Sequence, residues 1–253
     1  MKCMVRLLSA MGLVAAMVAP FEVQAAESKS KFPGTFSANA GVVTEYRFRG
    51  LDQSDKNPAI QGGIDWNIDT GYEDTGVYVG MWGSNIDFND GDDSSVEIDW
   101  YGGITGKVGA VGWDLGVVYF SYPGAASSRN YDFVEVGLGL SYDIGDTGVS
   151  VSANYNYSPD FFAGSGNAHW FTVGGSYAVP VDIMEGVTLE ASVGRQIIND
   201  NTAFGQPDYT TWSLGATLGI TSNVSAGISY QDTNITNSRL ADTVVIGSLT
   251  ARF

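Results

Sequence analysis

Alternation with a period of two runs through most of this chain, and no other feature restricts its fold so tightly. Val96, Ile98, Trp100 and Ile104 alternate with Glu97, Asp99, Tyr101 and Thr105. Val134, Val136, Leu138 and Leu140 alternate with Glu135, Gly137, Gly139 and Ser141, and Val187, Leu189, Ala191 and Val193 with Thr188, Glu190, Ser192 and Gly194. The same rhythm marks residues 60–68, 149–158, 212–220 and 224–231. Successive side chains of a β-strand point to opposite faces, so each stretch predicts a strand with one apolar and one polar side. The first begins at Phe36. Phe36, Ala38, Ala40, Val42, Thr44, Tyr46 and Phe48 share one parity; Ser37, Asn39, Gly41, Val43, Glu45, Arg47 and Arg49 share the other. That pattern predicts a strand running on through Phe48. Residues 76–88 and 113–122 mix apolar residues into both parities, and their facing is left open.

The connections alternate as well. Short turns such as "DIGDT" (143–147) and "TSN" (221–223) interleave with longer polar loops such as "NDGDDSS" (89–95) and "INDNTAFGQP" (198–207). The polar parity, rich in Gly, Ser, Thr, Asn and Asp, is too small and hydrophilic to fill a sandwich. Turning the apolar face to lipid and the polar face to a lumen resolves both problems, and closure pairs every strand edge, as lipid requires. The reading is an all-β transmembrane antiparallel up-and-down β-barrel of about 12 strands, occupying residues 26–253, with short periplasmic turns and longer external loops. A soluble periplasmic β-protein is the alternative fold. Tyr46 and Phe48 would then face outward at the external interface, in an aromatic girdle.

The N-terminus fits this destination. Lys2 and Arg6 precede a short apolar run, Leu7 to Ala19, and Val23-Gln24-Ala25 offers a small-residue cleavage site, so residues 1–25 read as a secretory signal peptide. Cys3, the only cysteine, falls inside it, leaving no disulfide or thiol chemistry beyond. Without the leader the chain has 10 basic and 27 acidic residues. So acidic a protein repels nucleic acid. The terminal strand "TVVIGSLTARF" ends on Phe253, a terminal aromatic of the kind by which the barrel-assembly machinery recognises outer-membrane chains.

Signs of catalysis are weak. His169, the only histidine, reads as an interfacial residue at a strand start, and no serine or asparagine spacing makes it part of a hydrolase triad. "DFNDGDDSS" (87–95) carries oxygen ligands but fails the calcium-loop order, since Gly91 sits at a ligand position. No enzyme activity and no cofactor are expected. The informative charges are those of the polar parity: Glu45, Arg47, Arg49, Asp65, Glu97, Asp99, Glu135 and Glu190 are expected to line the lumen, and an excess of carboxylates favours cations. The arginines would either pair with neighbouring carboxylates, such as Asp65 and Glu97, or form a local cationic constriction. Pairing is favoured, because unpaired charge in a narrow lumen is costly.

The segments "TEYRFRGLDQSDKNPAIQGGIDW" (44–66), "GVYVGMWGSNIDF" (76–88), "SSVEIDWYGGITG" (94–106) and "WDLGVVYFSYPG" (113–124) resemble the TorF-type porin family of Gram-negative bacteria, formerly catalogued as conserved proteins of unknown function. Glu45 stands where Asp is more usual, with the charge kept. The resemblance implies an outer-membrane barrel and a porin role, and no catalytic residues. The expected function is passive diffusion of small hydrophilic solutes or cations. The alternative is a non-conducting barrel whose external loops bind a partner or lipopolysaccharide. Outer-membrane lipid and lipopolysaccharide, the assembly machinery and small solutes or ions are the expected partners, and nucleic acid is not among them.

Overall fold

The computed structural model describes residues 33–72 and 74–253; the expected signal peptide, residues 1–25, lies outside them. Among the described residues, twelve antiparallel strands close into a barrel. In chain order these are β1 (Thr35–Val43), β4 (Ala59–Asp69), β5 (Gly76–Asn85), β6 (Val96–Val108), β7 (Val111–Ser121), β8 (Phe133–Asp143), β9 (Val149–Ser158), β10 (Ala168–Val179), β11 (Val187–Ile198), β12 (Tyr209–Thr221), β13 (Val224–Thr233) and β14 (Val244–Arg252). A two-residue pair, β2 (Arg47–Phe48) and β3 (Leu51–Asp52), forms a separate hairpin. Each barrel strand pairs with its chain neighbours, and β14 returns to β1 through Asn39↔Arg252 to Val43↔Ser248. The end is sealed further: Ala38 and Phe253 exchange backbone hydrogen bonds of 3.0 and 2.8 Å.

Facing follows the alternation. Leu115, Val117, Val136, Leu138, Leu140, Val173, Leu189, Leu214, Ile228 and Leu249 all point outward and exposed. An apolar surface that continuous is a liability in water and is matched to hydrocarbon. Aromatics border it at both ends. Tyr119, Tyr157, Phe171 and Tyr230 lie towards the loop end, and Phe36, Tyr142, Tyr177 and Phe253 towards the turn end. No helix of the described residues is long and apolar enough to cross a membrane.

Connections at the turn end are short, as at 109–110 and 222–223. Between β6 and β7 the strands pair as far as Val108↔Val111, leaving only Gly109 and Ala110 to reverse the chain. The loop end carries 44–58, 86–95, 122–132, 159–167, 199–208 and 234–243.

The first of these loops corrects the sequence reading. β1 ends at Val43, and the alternation through Tyr46 and Phe48 is not a continued strand. The chain leaves the wall at Thr44 and folds into the barrel. There Arg47 pairs with Asp52 and Phe48 with Leu51, and Arg49 and Gly50 take φ of 52° and 85°. Two consecutive positive φ values make the I′-type turn that fits the twist of a tight hairpin. Gly50 adopts this freely. Arg49 does so at a cost of about 1 kcal/mol, which its contacts must offset.

Candidate functional site

The residues of this loop are among the most buried in the molecule. Tyr46, Arg47 and Ser54 are each 1% exposed, and Leu51 and Asp52 are also buried. Neither Tyr46 nor Phe48 reaches lipid. Tyr46 packs edge-on against Trp82 at 5.7 Å and donates from its hydroxyl to Glu97 of β6 at 2.7 Å. Phe48 meets Phe120 of β7 at 5.6 Å, and Phe120 stacks on Phe133 of β8 at 4.2 Å. Gly50 lies so close to β12 and β13 that a Cβ there would stand 2.5 Å from Thr211 Oγ1 and 2.8 Å from Thr233 Cγ2. One loop thus touches strands all round the barrel and fills its loop-side half.

Both arginines are paired, though not with Asp65 or Glu97. Arg49 makes a two-pronged bond to Glu135 of β8, with Nη1 2.9 Å from Oε1 and Nη2 2.5 Å from Oε2. Nη1 also donates to Gln196 of β11 at 2.9 Å. The guanidinium lies over Phe48 at 4.6 Å and Trp170 at 4.9 Å, where a planar cation gains from ring faces. Trp170 in turn lies over Gly194, the β11 position with no side chain to obstruct it. Arg47 pairs within its own loop, to Glu45, and donates to the carbonyls of Gly50 at 3.1 Å and Leu240 at 2.6 Å. At the mouth, Lys56 bonds Asp242 at 2.6 Å and Arg239 pairs with Asp55. The Lys56 ammonium holds the Asp242 carboxyl below the usual carboxylate range.

The wall carboxylates lie mainly on β4 and β6–β8, facing inward. Asp65 accepts from Tyr101 at 2.6 Å and Asp114 from Tyr78 at 3.0 Å. Each tyrosine crosses a neighbouring strand at a glycine: Tyr101 passes over Gly80 and Tyr78 over Gly103, where a Cβ would come within 2.5 Å of the ring or hydroxyl. Glu97 accepts from Tyr46 and Tyr122. Asp99, the next inward residue on β6, is 0% exposed, and among the described residues neither of its oxygens has a hydrogen-bond partner. Glu190 of β11 stands apart, half-buried and within electrostatic reach of Arg252. Of the eight residues expected at the lumen, Asp65, Glu97, Asp99, Glu135 and Glu190 lie on strands, while Glu45, Arg47 and Arg49 reach it from the loop.

Two other sequence features resolve. His169 lies on the outer face of β10 among Tyr155, Tyr157 and Phe171, with Nδ1 2.9 Å from the Tyr155 hydroxyl. The acidic loop 87–95 is bound by Arg129, which pairs with Asp90 and Asp92. Among the described residues no group of three or more His, Cys, Asp or Glu side chains is arranged to hold a metal ion. Phe88, Tyr122, Tyr131 and Phe162, from three loop-end connections, pack together, with Tyr131 and Phe162 stacked at 4.5 Å.

A closed barrel with a lipid-matched outer face, aromatic borders and a polar lumen defines an outer-membrane β-barrel of the porin type. More particularly, the chain belongs to the bacterial family of unknown function Gcw_chp, whose sequence model matches residues 25–249. Two solved structures share the fold. One is an outer membrane channel (COG4313) from Pseudomonas putida F1, with a TM-score of 0.54 at 9% identity, over 92% of this chain and 100% of that one. The other is the KdgM porin, with a TM-score of 0.53 at 10% identity, over 86% of this chain and 98% of that one. No curated protein matches the sequence.

Proposed function

We propose that this barrel passes small hydrophilic solutes or cations across the outer membrane by diffusion, with the 44–58 loop as its constriction. One observation carries the reading: the inward parity of the wall is mostly polar residues and glycine in its turn-side half and partly open to solvent there. Asn39, Asp65, Asn154, Ser176 and Glu190 are half-buried, whereas an 8-stranded barrel of the smallest kind packs its interior solid. Inward carboxylates favour cations. The resemblance to TorF-type porins, and the channel and porin named among the solved structures, support the same reading. In that setting the long loops face outward, where lipopolysaccharide is the neighbouring surface, and the Phe253 strand is the segment presented to the assembly machinery.

Planar-bilayer recording of refolded protein tests this. Cation-selective events are expected, with selectivity weakened by Asp65→Asn and by Glu190→Gln. The buried state of Tyr46, Arg47 and Leu51 favours a second reading, a non-conducting barrel that works through its outer loops. Silent bilayers from both the wild type and a chain with residues 46–56 replaced by a short Gly-Ser link would overturn the channel and leave that second reading.

A further inference from the structure

Asp99 is a lumen carboxylate for which the described residues supply no partner. Both of its oxygens are shut off from solvent and accept nothing from any described residue. Its neighbours across the ladders are Trp82 on β5 and Phe120 on β7, neither of which carries charge. Along its own strand stand Glu97 and Tyr101, and the Tyr101 hydroxyl is given to Asp65. From the loop comes Tyr46, whose hydroxyl is given to Glu97. The nearby cation, Arg49, is held by Glu135 and Gln196, and Arg47 by Glu45. Asp65, Glu97, Asp114 and Glu135 each receive a hydroxyl or a guanidinium; Asp99 receives neither, and Glu97 adds a second negative charge beside it.

An ionised carboxylate taken out of water without a partner costs several kcal/mol, and two side by side cost more. A bound cation removes that cost. Two carboxylates, with no third acidic or histidine group in ligand position, suit a single positive charge rather than a multivalent metal. We propose that Asp99, with Glu97 beside it, holds a small monovalent cation, an alkali metal ion or ammonium, beneath the 44–58 loop. The loop is the lid of this site, since Tyr46 spans Glu97 and Trp82. Lifting it rehydrates Asp99 and removes the need for the ion. The cation therefore binds the closed state preferentially and holds the loop down, whether or not the barrel conducts.

The test reads the loop directly. Cys3→Ala removes the only native thiol, and Ser54→Cys then places one on the buried side of the loop, at a position 1% exposed. Labelling by a bulky charged maleimide reports lid opening. It is measured in sodium, potassium or ammonium chloride and in N-methyl-D-glucamine chloride at equal ionic strength. Labelling is expected to slow about tenfold when the small cation reaches ten times its dissociation constant, because opening is suppressed by the bound fraction. In the Asp99→Asn background the rate should become independent of the cation, and slow in all four salts. Equal rates in all four salts for the parent would overturn the proposal. So would a cation effect that survives Asp99→Asn, or protection that follows proton concentration alone, which would mean that Asp99 is held neutral. Leu51→Cys repeats the measurement at a second buried site should Ser54→Cys itself loosen the loop.

Discussion

Removing Arg49 should release the loop from the wall. Its guanidinium makes three hydrogen bonds within 2.9 Å, two to Glu135 and one to Gln196, and sits between Phe48 and Trp170. Arg49 and Glu135 are almost fully buried, with side-chain exposures of 6% and 2%. Truncating one member of such a pair leaves the other charge buried alone, a loss of about 3–5 kcal/mol. At roughly 1.4 kcal/mol per tenfold, Arg49→Ala should raise the open population of the loop by about two to nearly four orders of magnitude. The labelling rate at Ser54→Cys reads this directly, and longer or larger bilayer openings read it independently. Arg49→Met, Glu135→Gln and their double variant complete a cycle. The double should be less disruptive than the sum of the singles by about 1–3 kcal/mol, since neither leaves a bare charge behind when both are gone. A labelling rate within twofold of the parent for Arg49→Ala would refute the reasoning, and so would strict additivity in the cycle.

Phe120→Ala, which removes a ring stacked on Phe133 and edge-on to Phe48, should weaken loop docking by about 3 kcal/mol, seen as faster labelling with the barrel's β-sheet circular dichroism retained. Gly50→Ala meets both a φ of 85° and the Thr211 and Thr233 side chains, so it should also open the loop, while Gly205→Ala, at φ 79° with nothing within 4 Å, should leave the loop closed by the same labelling assay. Lys56→Ala removes only the exposed bond to Asp242 and should change docking by under about 1 kcal/mol. Because Asp242 has its carboxyl pKa lowered, that small contribution is present above the ordinary carboxylate range and fades as pH falls through the folded value. A pH titration of labelling at Ser54→Cys, with and without Lys56→Ala, checks the sign.

The barrel was legible because lipid enforces the alternation. Most outward positions from Phe36 to Leu249 are apolar, with polar exceptions such as His169 near the loop end, so the sequence carried the facing of the strands in plain form. The loop was not, because Glu45-Tyr46-Arg47-Phe48-Arg49 alternates for a different reason. Its rings pack against Trp82 and Phe120 while its charges turn to Glu45, Glu135 and the Gly50 carbonyl. A signal did exist elsewhere. In 113–122 the residues Val118, Phe120 and Tyr122 break the polar-inward rule, and in 76–88 Trp82 does the same. Apolar side chains aimed into a polar lumen need something to pack on; Trp82 and Phe120 meet the hairpin, and Tyr122 meets the aromatics of the other loops. The choice of partner for each arginine could not be read from order along the chain. Glu135 is 86 residues from Arg49, and Gln196 is 147 away.

Those separations also fix a sequence of events in assembly. The hairpin belongs to the first loop made, yet the groups that hold it belong to β6, β8 and β11, and to Leu240 just before the last strand. The set is complete only once β11 and Leu240 have joined the earlier strands. The earliest loop to be synthesised is therefore the latest to settle. While the sheet is still zipping shut it must wait inside the curl or at its rim, with both arginines in water. Docking of the hairpin is therefore expected to follow assembly of the wall, with lumen closure lagging behind membrane insertion as a separate kinetic phase.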